Sequence, residues 1–358
     1  MLRPAHSAQP TSWPAWVGRA LLLAASLVGV VSLARSQDAD AREERSAERD
    51  EPHLNLTSPT LGGKQFWTDE LVFHDWRVQR NVLTNHCRLL DENDLRRGWG
   101  SFEQCRDQLE SLKRQLPLRP MRRHAVLVLH GLGRTRQSME KMCTYLQEHT
   151  EDTILNVSYA STREPLHQHA ASLAKVIQNL EGVEEISFVA HSMGNLVIRR
   201  YLAENPRVDV PSRPPPRLRR IVMIAPPNQG AELAERFRRS KVFKAVLGPS
   251  GTALAEQWDT IERQLAIPDC EFGIIAGGSG SDGGRNPLLE GDDDLVVSVA
   301  ETRLAGARDF LVVPSLHSAI INNEEVQRST LCFLKHGYFV AEEKRHPISS
   351  ETERSESP

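Results

Sequence analysis

Short apolar segments alternate with longer amphipathic segments through most of the chain, and this alternation limits the fold more than any other sequence feature. From His124 onward, strand-like runs such as HAVLVL and EISFVA precede segments whose apolar residues recur at helical spacing. Such alternation is typical of a mostly parallel sheet with helices on both faces. The sequence therefore predicts an α/β fold of this architecture.

The periodicities also give the bounds of the predicted elements. Strands are predicted at residues 70–78, 86–90, 124–129, 153–159, 185–190, 219–225, 271–276 and 309–313. Helices are predicted at residues 101–115, 136–148, 165–180, 195–203 and 324–334. The chain of 358 residues is long enough for one large domain with tails, and residues 59–340 form the predicted folded domain.

The amino-terminal region has the features of an export signal. Arg3 and Arg19 bracket a polar start to the apolar run at residues 20–34, which is shorter than the ~20 residues of a membrane span. Small residues at Ala34 and Ser36 predict cleavage near Gln37. Residues 1–36 are therefore a predicted signal peptide or, if retained, a signal anchor that attaches the protein to a membrane. Either form predicts a periplasmic or extracellular domain.

Both flanks of the predicted domain are rich in charged residues and poor in apolar ones. Residues 37–58 form a predicted disordered linker and residues 341–358 a predicted disordered tail, because neither can bury enough apolar surface to fold. Over the whole chain 44 Lys and Arg stand against 47 Asp and Glu, a formal net charge of -3. This balance predicts no nucleic-acid partner.

The five cysteines fit neither a dense disulfide framework nor a C-x-x-C metal spacing. No metal, no other cofactor and no catalytic cysteine is predicted. Cys87 and Cys105 flank one short segment, and they are predicted either to pair in an oxidising compartment or to be buried free thiols.

The strongest chemical signal is the sequence AHSMG at residues 190–194, between a predicted strand and a predicted helix. A serine at such a tight turn needs small residues two positions before and after it, and Ala190 and Gly194 supply them. The turn exposes the serine hydroxyl and directs the amide of Met193 toward a developing oxyanion. Ser192 is therefore the predicted nucleophile, and an ordinary helix-capping serine is the alternative.

The sequence HGLG at residues 130–133 directly follows the predicted strand 124–129. Serine hydrolases place a second oxyanion donor on this loop, so the backbone N–H of Leu132 is the predicted donor. His130 lies early in the chain and is predicted to brace the loop by hydrogen bonding.

A serine hydroxyl needs a histidine to accept its proton and a carboxylate to hold that histidine in the correct tautomer. His317, which follows the last predicted strand, is the predicted base. His191 is predicted to point elsewhere because of the elbow geometry. Three further histidines are predicted to lie on helical surfaces, and they are His167, His169 and His336.

The predicted acid lies in the sequence GDDDLVVSV, in agreement with the chain order Ser, acid, His. Asp294 is preferred because it directly precedes the apolar run. Asp293 is the alternative acid, and Asp282 is a more distant one. The non-catalytic alternative is a cluster that only solvates a loop or loosely holds Ca²⁺.

These segments together resemble the α/β-hydrolase superfamily and, within it, bacterial lipase-like esterases. The similar segments extend from Val126 to about Phe333, and they are VLVLHGLGR, VAHSMGNLVIRRYL, IVMIAPPNQGAELAE, GDDDLVVSVAETRL and VVPSLHSAIINNEEV. Two departures stand out. Alanine replaces the commoner first glycine of the elbow, and the third segment departs from the T-P-x-x-G-S-x-x-A stretch of lipases at Pro226, Pro227 and Ala231.

The resemblance implies a serine hydrolase that cleaves carboxylic ester bonds of small-molecule or lipid substrates through an acyl-enzyme on Ser192. It also implies a cap segment after residue 225, in which Phe237, Phe243 and Leu247 line an acyl pocket or cover the core. An acyltransferase or thioesterase with the same three residues is one alternative, and product analysis with water or an alcohol acceptor separates the two. A non-catalytic exported binding protein is the other.

Overall fold

The computed structural model describes residues 64–205, 215–230, 250–254, 256–280, 284–286, 289 and 291–349. All of them belong to the unit Leu54–Pro358. The predicted export signal, the predicted linker, the alternative acid Asp282 and the cap residues Phe237, Phe243 and Leu247 lie outside the described residues.

An antiparallel sheet of four strands begins the described chain. In spatial order its strands are β1 (Trp67–Phe73), β2 (Trp76–Asn81), β3 (Cys87–Leu90) and β4 (Arg96–Gly100). The predicted single strand 70–78 is wrong, because the chain reverses at His74, where φ is 52°, and forms the β1–β2 hairpin. The sequence RRGWG of β4 lacks the apolar alternation of a strand, so β4 was not predicted.

A buried carboxylate attaches this first sheet to the rest of the domain. Asp69 on β1 is 1% exposed, and its side chain accepts hydrogen bonds from Arg77 (2.9 Å) and Gln79 (2.7 Å) on β2. The same carboxylate accepts the backbone N–H of Ser158 at 2.7 Å, just after a strand of the central sheet. Each bond satisfies a polar group that would otherwise be buried without a partner.

The central sheet has six strands, and all pairs of neighbours are parallel. Its strands are β5 (His124–Leu129), β6 (Thr153–Val157), β7 (Glu185–His191), β8 (Arg217–Ile224), β9 (Glu271–Gly278) and β10 (Asp309–Pro314). The spatial order is β10-β9-β8-β7-β5-β6. All six strands were predicted, and their ends differ from the prediction by at most two residues. In register, Leu129 of β5 pairs with Ala190 of β7, and His191 of β7 pairs with Ile224 of β8.

Helices cover both faces of this sheet. They are α1 (Phe102–Gln115), α2 (Glu140–His149), α3 (Leu166–Gln178), α4 (Met193–Glu204), α5 (Trp258–Glu262) and α6 (Glu324–His336). On one face α2 and α6 pack against each other, and on the other face α3 packs against α4. Alternate residues of β5 belong to the two cores, since Leu127 faces one and Val128 the other. This architecture confirms the predicted α/β-hydrolase fold.

The chain beyond Val340 is bound to the edge of the central sheet. The buried carboxylate of Asp309, at the start of β10, accepts the backbone N–H groups of Phe339 (2.7 Å) and His346 (2.9 Å). The N–H of Ile348 donates to Ala307 O at 2.9 Å. The prediction of a disordered tail from residue 341 is therefore wrong as far as Ser349. It rested on the polar composition of the segment, and composition does not show hydrogen bonds to a buried carboxylate in another part of the chain.

Cys87 and Cys105 form no disulfide with each other and are both buried free thiols, which is the second of the two predicted alternatives. In the part of the chain that the structure describes, no helix is both long and apolar enough to cross a membrane.

Candidate active site

Ser192 occupies a sharp turn between β7 and α4. Its backbone angles are φ 53° and ψ -126°, a combination that is uncommon for a residue with a side chain. The backbone N–H of Ser192 donates to Ile224 O of β8 at 2.9 Å, so the neighbouring strand holds the turn in place. The turn has the predicted strand-serine-helix geometry.

The small residues at the turn have a measurable steric reason. A Cβ added to Gly194 would lie 2.8 Å from the backbone oxygen of His130 and 3.1 Å from Leu129 Cβ. The first distance is closer than real Cβ contacts, and the neighbouring backbone could not move away without disturbing β5. Ala190, on the other side of the serine, is completely buried.

His317 lies in hydrogen-bond contact with both of its predicted partners. Its Nδ1 is 2.7 Å from Asp294 Oδ2, and its Nε2 is 3.0 Å from Ser192 Oγ. Because a carboxylate can only accept, Nδ1 holds the proton and Nε2 can accept the serine hydroxyl. The Asp294 side chain is 0% exposed and that of His317 is 13% exposed. The three residues thus have the geometry of a Ser-His-Asp triad.

The two adjacent aspartates have different partners. The second carboxylate oxygen of Asp294 accepts the N–H groups of Val296 (2.9 Å) and Val297 (2.8 Å), which fixes its orientation toward His317. The Asp293 carboxylate instead accepts the N–H groups of Leu295 (2.7 Å) and Asn286 (2.9 Å). Asp294 therefore contacts the histidine, while the alternative acid Asp293 stabilises the loop.

The HGLG loop (residues 130–133) lies against the serine turn. A Cβ added to Gly131 would lie 3.0 Å from Ser192 Cβ, so this loop approaches Ser192 closely. Among the described residues we find no hydrogen bond from the amides of Leu132 or Met193 to another protein group. Met193 begins α4, and the first amides of a helix have no acceptor within it. Both predicted oxyanion donors are therefore free to bind a ligand.

The loop is braced by groups behind it. As predicted, His130 acts structurally: its Nδ1 donates to Gly131 O at 2.9 Å, and its ring stacks on Tyr159 at 4.2 Å. Two bracing residues were not predicted. Ser161 Oγ accepts the Gly133 N–H at 3.1 Å, and Gln65 Nε2 donates to Arg134 O at 3.1 Å. The position of Ser161 just after β6 could have indicated its role, because the carboxyl ends of parallel strands meet at one edge.

The predicted surface position of His169 is wrong. The side chain is 1% exposed and its Nε2 lies 3.3 Å from Ser250 Oγ, whereas His167 and His336 are exposed as predicted. Burial lowers the pKa of His169 to about 3 and the pKa of His130 to about 4. The helix α3 has a wide apolar face, and a histidine can be buried on it. The sequence alone does not show which histidine of this helix is buried.

A metal site is a separate question from the triad. No group of three or more His, Cys, Asp or Glu side chains that could hold a metal ion occurs among the residues that the structure describes.

The sheet order, the serine turn and the Ser-His-Asp contacts together define a protein of the α/β-hydrolase fold with a triad geometry. A family model described as "Domain of unknown function (DUF7379)" matches residues 96–253, which is less than half of the chain. No curated protein matches the sequence significantly.

Several solved structures are distantly similar. The lipase BlEst2 of Bacillus licheniformis is 14% identical, with 62% of this chain and 94% of that chain covered and a TM-score of 0.45. An esterase of Thermogutta terrifontis is 15% identical, with 61% and 92% covered and a TM-score of 0.38. Phospholipase PlaB of Legionella pneumophila is 17% identical, with 50% and 44% covered and a TM-score of 0.38. The strand order and the serine turn, rather than these distant similarities, define the fold.

The buried histidines His130 and His169 contribute a dependence of stability on pH. Their pKa values are lower in the folded state than the ordinary value of about 6.5, so below pH 6.5 the unfolded chain binds protons that the folded protein does not. Their contribution to stability therefore falls as the pH decreases, by about 4 kcal/mol between pH 7 and pH 5 for the two together. Urea unfolding at both pH values measures this change.

A matched pair of variants isolates the contribution of one histidine. His169→Gln should lose about 2 kcal/mol of the pH dependence between pH 7 and pH 5, because glutamine does not titrate. His167→Gln, an exposed control on the same helix, should keep the wild-type dependence. If both variants had the same pH dependence, the assignment to His169 would be refuted.

Proposed function

We propose that the protein is a serine hydrolase that cleaves carboxylic ester bonds through an acyl-enzyme on Ser192. One observation supports this most strongly, the continuous hydrogen-bond chain from Asp294 through His317 to Ser192 Oγ, with distances of 2.7 Å and 3.0 Å. This chain ends on a serine whose backbone is strained, and strain of this kind is concentrated at functional sites.

In the first half of the proposed reaction, Ser192 Oγ attacks the ester carbonyl carbon while its proton passes to His317 Nε2. The carbonyl oxygen becomes an anion, which the backbone N–H groups of Leu132 and Met193 stabilise. Asp294 accepts a hydrogen bond from the Nδ1–H group of His317 and stabilises the imidazolium. Collapse of the intermediate breaks the bond to the alcohol oxygen, which takes the proton from His317.

In the second half, water replaces the alcohol. His317 accepts a proton from the water as its oxygen attacks the acyl carbon of the Ser192 ester. The second tetrahedral intermediate releases the carboxylic acid, and the proton returns to Ser192 Oγ. No group of the protein is consumed, so the reaction needs only the ester and water.

The surroundings of the triad favour an apolar acyl or alcohol group. Leu316 precedes His317 in the chain and is 38% exposed, and Leu295 follows Asp294 and is 43% exposed. Each of these exposed apolar side chains is adjacent in sequence to a member of the triad, where it can contact the apolar part of a bound ester. A small-molecule or lipid ester is therefore the proposed substrate.

The proposed location is outside the cytosol. The apolar run at residues 20–34 supports export, because it has the length and flanks of a signal sequence. Amino-terminal sequencing of the secreted protein tests this proposal, and a chain that stays in the cytosol would contradict it.

Substitution of the nucleophile is the direct test of the enzyme. A fluorophosphonate probe should label the wild-type protein, and p-nitrophenyl butyrate should be hydrolysed by it. Ser192→Ala should show no labelling and a loss of about 10³-fold or more in kcat, because no other group can form the acyl-enzyme. Ser111→Ala, on α1, is the matched control and should behave as the wild type. Equal labelling of wild type and Ser192→Ala would rule out this nucleophile.

The neighbouring aspartates allow a second test. Asp294→Asn should lower kcat by about 10³- to 10⁴-fold with little change in KM, because an amide favours the wrong tautomer of the histidine. Asp293→Asn should change kcat by less than about 10-fold but lower the free energy of unfolding by about 1–3 kcal/mol, because one loop N–H loses its acceptor.

Steady-state kinetics and urea unfolding of both variants measure these effects. Similar losses of kcat in the two variants would show that the carboxylate has been assigned incorrectly.

A further inference from the structure

His191, which directly precedes the nucleophile, has a contact that its position in the sequence did not predict. Its Nε2 lies 3.0 Å from the backbone oxygen of His317. A carbonyl oxygen only accepts, so the Nε2 atom holds a proton and donates it to this bond. The ring centroids of His191 and His317 are 4.8 Å apart, and the His191 side chain is 1% exposed.

The same ring also contacts the HGLG loop. A Cβ added to Gly131 would lie 3.1 Å from His191 Nδ1, so this edge of the imidazole faces the loop backbone. In the described part of the chain, His191 Nδ1 has no hydrogen-bond partner. The ring thus fills the space between the HGLG loop and the loop of residues 315–319, which includes His317.

The backbone of His317 holds the loop of residues 315–319 in place through two hydrogen bonds. The His317 N–H donates to Asp294 O at 2.9 Å, and the His317 carbonyl accepts from His191. The first bond holds the base to its acid, and the second holds it to the strand that ends in the nucleophile. His191 is therefore the direct side-chain link between the base and the β7 strand.

We propose that His191 is a positioning residue: its Nε2–H fixes the backbone of His317 and, with it, the position of the imidazole that acts as the general base. The inference rests on the proposed function, because it gives His191 a role in placing the general base. His191 does not contact the reacting atoms, and it acts through His317.

The role also requires a neutral ring. When His317 accepts the serine proton, a positive charge forms 4.8 Å from the centre of the His191 ring. A second cation there would oppose this charge. Burial lowers the pKa of His191 well below its ordinary range, and the nearby His317 and Arg134 act in the same direction. The ring therefore stays an uncharged donor throughout the reaction.

Two variants separate the hydrogen bond from the packing of the ring. His191→Phe keeps an aromatic ring but has no donor, whereas His191→Gln loses the ring but extends an N–H group to a similar distance. We expect kcat for p-nitrophenyl butyrate to fall by about 10- to 100-fold in His191→Phe with KM changed less than twofold, since misplacement by about 1 Å has effects of this size. His191→Gln should retain at least a third of the wild-type kcat.

One control variant and one replacement variant accompany these two. His167→Phe, at an exposed site on α3, should retain the wild-type kcat. If His191→Phe does not fold, as judged by circular dichroism, His191→Asn replaces it, because its amide is too short to reach the carbonyl. The prediction then becomes a large loss of kcat in the Asn variant and retention in the Gln variant.

Proton NMR gives a readout that does not depend on turnover. The proton between His317 Nδ1 and Asp294 should give a low-field resonance in the wild type and in His191→Gln. The same resonance should be shifted or broadened in His191→Phe, because a less constrained His317 exchanges this proton with water more readily.

Wild-type kinetics and an unchanged resonance in His191→Phe would overturn the inference, and so would equal losses of kcat in the Phe and Gln variants. These failures are distinct from failure of the proposed function. In that case the wild type itself would show no hydrolysis, or Ser192→Ala would be labelled like the wild type.

Discussion

The strained turn at Ser192 is the constraint on which the rest of the site depends. A residue at φ 53° and ψ -126° is unfavourable by about 1–3 kcal/mol, so the surrounding structure must hold it there. The bond from its N–H to β8 does so on one side, and the close fit of Gly194 under the His130 carbonyl does so on the other. The position of the hydroxyl therefore follows from the packing of β5, β7, β8 and α4.

The remaining groups of the site are placed mainly by backbone hydrogen bonds. Asp294 is oriented by two loop N–H groups, and the HGLG loop is braced by Ser161 and Gln65. These loops follow different strands, yet all meet at the carboxyl edge of one parallel sheet. A parallel sheet thus lets distant parts of the sequence contribute one group each, while the core provides the rigidity.

The sequence was sufficient for the central strands, because each contains an apolar run and most of the residues in these runs are buried. The serine turn was also predictable, since its small residues are a steric requirement that can be seen in the letters. The β1–β2 reversal at His74 was missed because non-glycine residues rarely adopt a positive φ. The burial of His169 and the contact of His191 with the His317 carbonyl were missed for another reason. The burial of a polar side chain depends on its three-dimensional neighbours, which local periodicity does not specify.

The attachment of Ile348 to the edge of the central sheet affects how the protein folds. β10 is followed at once by the loop of His317, and its first residues bind the segment that ends near Ser349. The proposed general base follows Ser192 by 125 positions in the sequence. Because contacts of such large separation along the chain form late in folding, we expect the serine to have no histidine beside it until β10 has joined the central sheet.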